Sequence, residues 1–229
     1  MIASTASIPV IAIDGPSASG KGTIAERVAG TLGFHYLDSG ALYRLVALEA
    51  IKAGVDFDDE AGLAALAENL DVRFHGGEIW ISDQCVTSDI RSEACGNGAS
   101  RVAPWPAVRQ ALLARQRAFR QAPGLVAEGR DMGTVVFADA TLKVFLTASA
   151  AVRAERRHKQ LKEKGIDANI HTLLRELRER DQRDSARNVA PLQQAADARE
   201  FDSSGVGIDE IVRQVLDWYR QKVAGSQHL

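Results

Sequence analysis

Gly15-Pro16-Ser17-Ala18-Ser19-Gly20-Lys21-Gly22-Thr23 stands between an apolar run at residues 10–13 and a stretch of helical periodicity at 21–32. These types and spacings suit the holding of phosphate. Gly15 and Gly20 permit tight turns that aim successive backbone N–H groups into a concave nest. The helix that comes next adds the positive end of its dipole. Lys21, read as an exposed loop lysine, can reach the outer phosphates of a nucleotide, and the Thr23 hydroxyl can touch Mg²⁺ or an adjacent phosphate. A hydroxyl residue commonly follows such a lysine directly, whereas here Gly22 intervenes. The plain alternative is a glycine-rich strand-to-helix turn without a ligand. Strand, lysine, hydroxyl and helix together favour phosphate.

Two further groups have chemical potential. Glu128-Gly129-Arg130-Asp131 follows the apolar run 125–127 directly, so its charged pair sits at the carboxyl edge of a strand, where open α/β sheets bind ligands. Arg180, Asp184 and Arg187 are spaced i, i+4 and i+7, one face of a helix, and an ordinary ion-pair ladder explains them equally well. Charge is unevenly spread. Residues 55–98 carry ten acidic against two basic side chains, while residues 153–187 carry eleven basic against seven acidic. A local basic segment in a chain of net charge −2 fits a small polyanion better than nucleic acid, although a solvated helix face is the bland reading.

The elements that must position these residues alternate. At 229 residues, with 45% hydrophobic and 25% charged side chains, the chain suits one compact domain with insertions. The first apolar run is too short to span a bilayer and lacks signal-peptide flanks. Cys85 and Cys95 are too few for a disulfide framework and are expected as small buried residues; a reducing cytoplasm is the expected location. Strands are predicted near 10–13, 34–37, 125–127, 142–146 and 200–202, and helices over 21–32, 41–53, 107–121, 150–164, 170–184 and 208–223. This rhythm predicts a parallel sheet with helices on both faces. A helix at 60–70 and short runs around Gly76-Gly77 interrupt it and predict an inserted antiparallel subdomain. The ends, 1–7 and 225–229, are expected to be loose.

The Gly-Lys-Gly-Thr ending of the loop resembles the nucleoside-monophosphate kinases. Asp38-Ser39-Gly40-Ala41-Leu42-Tyr43-Arg44, Asn97-Gly98-Ala99-Ser100, Val108-Arg109-Gln110-Ala111-Leu112, Gly129-Arg130-Asp131-Met132-Gly133-Thr134 and Glu179-Arg180-Asp181-Gln182-Arg183-Asp184 narrow the resemblance to the bacterial cytidylate kinase family, in order over nearly the whole chain. The resemblance implies an α/β P-loop kinase fold, a five-stranded parallel sheet flanked by helices. It also implies an acceptor-binding insert at about 59–98 and a short lid at about 150–164.

The implied reaction is phosphoryl transfer from ATP, with Mg²⁺, to CMP or dCMP. By the same resemblance, Gly15, Pro16, Ser17, Ala18, Ser19, Gly20, Lys21, Gly22 and Thr23 hold the donor, with Thr23 toward the metal. Ser39, Arg44, Arg130 and Arg187 clamp the acceptor phosphate. Ser100, Arg109 and Asp131 read cytosine, and Arg180 and Asp184 contact sugar hydroxyls. Arg153, Arg156 and Arg157 belong to the lid, and Lys21, Arg130, Arg157 and Arg187 are the expected catalytic cations. The family commonly has Asp where this chain has Glu128, which leaves Glu128 as a residue behind the metal site. A monomer without nucleic-acid or membrane partners is expected. A kinase for UMP or another small acceptor, or a nucleotide switch that transfers nothing, remain the alternatives.

Overall fold

The computed structural model describes residues 8–75, 77–163 and 165–226. Gly76, Lys164 at the expected end of the lid, and the chain ends including His228 lie outside the described residues. The described chain divides into two compact units, one spanning Asp38–Gln116 and the other formed by the chain on either side of it.

The flanking unit is built on five parallel strands. They are β1 (Val10–Asp14), β2 (His35–Asp38), β6 (Leu125–Gly129), β7 (Leu142–Thr147) and β8 (Arg199–Asp202), in the order β2-β6-β1-β7-β8. Every residue of β1 is buried, as a central parallel strand covered on both faces requires, and its unbroken apolar run is the sequence form of that burial. Helix α1 (Lys21–Leu32) and helix α8 (Ile208–Ser226) cover one face. There Ile24, Val28, Ile211 and Val215 close over Ile11, Ile13, Val126 and Val144. Trp218 and Phe34 pack against this cluster. Helices α6 (Ala150–Glu163) and α7 (Ile170–Ser185) form a pair sealed by Ala154, Leu161, Leu173 and Leu177.

Strand register decides which residues meet at the carboxyl edge of the sheet. Asp14 stands opposite Gly129 on one side and Phe145 on the other, so β1 and β6 finish level while β7 runs two residues further, to Thr147. The glycine-rich loop leaves from β1 at that edge, and Arg130-Asp131 leaves from β6 beside it. Sequence pattern assigns no regular structure to the residues after Asp131, yet they form a single π-turn, Met132–Val136.

The unit Asp38–Gln116 contains α2 (Ser39–Ala53), α3 (Glu60–Glu68), β3 (Val72–His75), β4 (Glu78–Ile81), β5 (Gln84–Cys85), α4 (Glu93–Val102) and α5 (Pro106–Ala118). The three strands make the expected small antiparallel sheet. Helix α4 was not expected, because Gly96 and Gly98 weaken any helical reading of its sequence. Packing explains them. A Cβ at Gly98 would lie 2.8 Å from the Ala47 Cβ and 2.9 Å from the Phe57 ring, so α4 approaches α2 closely only with glycine there. Cys95 is buried as expected, but Cys85 is exposed on its two-residue edge strand.

Candidate active site

The loop 15–23 is shaped by what it packs against. A Cβ on Gly15 would lie 2.1 Å from the Leu146 carbonyl oxygen at the end of β7, so only glycine allows the loop to leave the sheet there. Ala18 (φ 58°) and Gly20 (φ 93°) take left-handed conformations, and such alternation of hand makes a backbone nest for anions. No side chain caps α1, whereas Asp38 caps α2 and Asn169 caps α7. The N-terminal N–H groups of α1 therefore keep their capacity for an anion.

Three carbonyls of the loop accept hydrogen bonds from side chains. Lys21 Nζ donates to the Pro16 carbonyl (3.2 Å), Arg153 Nη1 to that of Ser17 (3.1 Å) and Arg156 Nη1 to that of Ser19 (3.2 Å). Because each peptide is planar and trans, holding a carbonyl turns the next N–H the opposite way. Arg153 is nearly fully buried, and it also pairs with Asp181 through both terminal nitrogens (3.1 and 2.5 Å). In this geometry Arg153 supports the loop through the Ser17 carbonyl, while Arg156 lines the cleft beside the loop. Arg157 is half-buried on α6.

Lys21 corrects the sequence reading. It is 8% exposed, not an open loop side chain, and its Nζ lies 3.6 Å from Glu128 Oε2 at the end of β6. Gly22 is explained by the same carboxylate. A Cβ there would stand 3.1 Å from Glu128 Oε1 and 3.7 Å from the Tyr36 hydroxyl, which itself reaches Glu128 (3.5 Å). The residue between lysine and threonine is small because Glu128 occupies the space beside it.

Next to Glu128, Arg130 donates from Nη2 to Ser17 Oγ (2.7 Å) and from Nε to Asp184 Oδ2 (2.8 Å). Asp184 also receives Arg187 Nη2 on its other oxygen. Arg187 lies past the end of α7, so of 180, 184 and 187 only the first two stand on the helix, although Arg187 still pairs with Asp184. Burial raises the pKa of Asp184, but the guanidiniums of Arg130, Arg187 and Arg180 outweigh it and hold the carboxyl below the usual range. Burial likewise disfavours the charge on Arg130, and Asp184 overrides it, leaving Arg130 more firmly protonated than a free arginine.

Asp14 was missed by motif reading. It is 4% exposed and accepts from the backbone N–H of Met132 and of Gly133, both at 2.8 Å. Burial pushes its carboxyl up to about 6, against the lowering effect of those two bonds, with Asp131 adding to the rise. A single carboxylate closing an all-apolar strand was the signal available in the sequence. Asp131 itself is buried.

Thr23 is exposed and lines a cleft of about 590 Å³. Loop residues 18–24 form one wall, Arg156, Lys159 and Gln160 another, and Val206, Ile208 and Ile211 the third. The apolar wall after β8 was also missed, since Val206 and Ile208 carry no motif.

The other expected residues belong to the Asp38–Gln116 unit. Ser39 is buried in the first turn of α2, and Ser100 is buried on α4. Arg44, which a helix face alone would leave solvated, donates to the Ile90 carbonyl (2.8 Å) and lies beside Gly96 of α4. Arg109 of α5 donates to the Tyr43 hydroxyl (3.2 Å) and lies over the Tyr43 ring at 6.0 Å. Helices α2, α4 and α5 thus carry these four together within one unit.

Known proteins resemble this chain closely. A cytidylate kinase from Bordetella bronchiseptica is 60% identical over 218 residues, covering 95% of this chain and 98% of its own length. One from Ralstonia nicotianae is 57% identical over 220 residues, covering 96% of each. Among solved structures, a gluconokinase from Sinorhizobium meliloti shares the fold, with a TM-score of 0.51, 19% identity and 96% coverage of both chains. The sequence profile of the family described as cytidylate kinase matches residues 11–221, and the chain belongs to that family.

Proposed function

We propose that this chain transfers the γ-phosphoryl group of ATP to CMP or dCMP, releasing ADP and CDP or dCDP. The observation that carries the proposal is the uncapped start of α1 at a loop whose carbonyls are held by Lys21, Arg153 and Arg156 and whose lysine lines the cleft. Membership of the cytidylate kinase family supplies the acceptor.

Each side chain then has a role. Residues 15–23 bind the donor phosphates, and Lys21 exchanges part of its contact with Glu128 for the γ-phosphate. An oxygen of the acceptor phosphate attacks the γ-phosphorus while the bond to the β–γ bridging oxygen breaks, and ADP leaves. No general base is required, because a nucleotide phosphate is already largely ionised at neutral pH. Ser39, Arg44, Arg130 and Arg187 neutralise the acceptor phosphate, guanidiniums being suited to bidentate contact. Ser100, Arg109 and Asp131 meet the cytosine edge, and Arg180 and Asp184 the sugar hydroxyls. Arg156 and Arg157 serve the donor from a lid at about 150–164, and residues 59–98 move with the acceptor.

Among the described residues no three His, Cys, Asp or Glu side chains stand close enough to hold a metal by themselves. Mg²⁺ carried by nucleotide phosphates needs only one or two protein oxygens, and the exposed Thr23 hydroxyl fits that demand. Bound there, Mg²⁺ would supply neutralisation of the donor's phosphate charge. Among the described residues no helix is long and apolar enough to cross a membrane; a cytoplasmic monomer is the proposed state.

The test is ADP formation with CMP, dCMP, UMP, AMP and GMP as acceptors. Sites that hydrogen-bond a substrate can reject analogues by about 10⁴. A preference for a cytidine nucleotide is expected, and a preference for any other acceptor overturns the substrate assignment.

A further inference from the structure

Ser203 carries no motif, yet it is fully buried directly after β8. Its backbone N–H donates to the Thr147 carbonyl at the end of β7 (2.9 Å). Its hydroxyl donates to the Ser19 carbonyl of the phosphate loop (3.0 Å) and accepts from Arg156 Nη1 (2.9 Å). Arg156 Nη1 also reaches the Ser19 carbonyl, and Nη2 donates to the Ser203 carbonyl. Loop, α6 and the end of β8 are thereby closed into one ring of hydrogen bonds.

The ring has a direction. The Ser19 carbonyl belongs to the same planar peptide as the Gly20 N–H, so fixing one fixes the other. Gly20 precedes α1 directly, with φ 93°, and that conformation leaves its N–H to be aimed by whatever holds the Ser19 carbonyl. Three residues beyond Ser203 begins the apolar wall of the donor cleft, Val206, Gly207 and Ile208. One hydroxyl therefore sets the phosphate loop and the wall in register. Arginine alone is a poorer substitute, because its bond to the Ser19 carbonyl is the longer, and without the serine acceptor its Nη1 loses one of its two oxygens.

We propose that Ser203 is a positioning residue for the phosphate donor, acting through the Ser19 carbonyl and Arg156; this rests on the reading of loop 15–23 as the donor site. It predicts a defect confined to the donor. Steady-state kinetics on Ser203→Ala, with ATP and CMP varied in turn, are paired with calorimetric titration of ATP into each protein and with thermal melts.

Loss of the hydroxyl raises the ATP KM and weakens ATP binding by about fivefold to tenfold, the range of one or two modest buried hydrogen bonds, and leaves the CMP KM within about twofold. Ser203→Thr, which keeps the hydroxyl, restores ATP use. Ser203→Cys, a weak donor of similar size, carries the same test where the alanine variant does not fold. Wild-type ATP binding with an unaltered alanine variant, or equal rises in both KM values, overturns the proposal alone. Absence of ATP binding by the wild type overturns the donor site itself, and this proposal with it.

Discussion

Asp184→Asn isolates the charge that holds the arginines together. Asp184 is 1% exposed, and the side chains of Arg130 and Arg187 beside it are 16% and 6% exposed. The amide keeps the volume but replaces an acceptor oxygen with an N–H donor that faces a guanidinium, and two cations lose their counter-charge. Breaking a buried pair by removing one partner costs about 3–5 kcal/mol. For a chain of this size each kcal/mol moves the melting temperature by about 2–4 °C, so a fall of about 6–20 °C is expected at neutral pH. The folded pKa of Asp184 is depressed, so its stabilisation is complete above the unfolded value and is lost as pH falls through the folded one. Urea unfolding of both proteins therefore shows the full gap at pH 7 and pH 5 and a shrinking gap below about pH 3.9. A gap under about 1 kcal/mol at pH 7, the scale of an exposed pair, refutes the buried triad. A gap that persists unchanged at low pH refutes the ionised carboxylate as its source.

Three other perturbations test separate parts of the account. Lys21→Met abolishes most turnover and, by removing the cation beside buried Glu128, also lowers the melting temperature; turnover near the wild-type level contradicts its place on the donor phosphates. Gly15→Ala sets a Cβ against the Leu146 carbonyl, so nucleotide binding by calorimetry is lost and the melting temperature falls; a variant with native ATP affinity shows that the loop leaves the sheet by another path. Asp14, with its folded pKa raised to about 6, binds a proton more tightly folded than unfolded, so its contribution to stability rises as pH falls from above 6 toward 4. The stability of wild type relative to Asp14→Asn accordingly grows over that window by up to about 3 kcal/mol, and parallel pH curves rule this out.

The sequence revealed most where chemistry and local pattern coincide. An apolar strand, a glycine-rich loop with lysine and threonine, and a helix needed no tertiary information, and β1, the loop and α1 follow that order. The five-strand rhythm was equally legible, because parallel strands buried on both faces read as short apolar runs. Helix α4 was not, since Gly96 and Gly98 serve its contact with α2 and no property of α4 alone. Asp14, Ser203 and the wall at Val206 and Ile208 escaped for a related reason. Each acts through partners distant in the chain, such as Ser19 for Ser203, and pairing across that separation leaves no local spacing to read. The burial of Lys21 escaped too, because Glu128 finds it only when β1 and β6 lie side by side.

The most direct measurement tracks the phosphoryl group itself. ATP labelled in its γ-phosphate is incubated with the protein, Mg²⁺ and CMP, and the products are separated and counted. The account predicts that the label appears in the β-phosphate of CDP in step with ADP release. Label recovered as inorganic phosphate, or retained in ATP while CMP is unchanged, contradicts it.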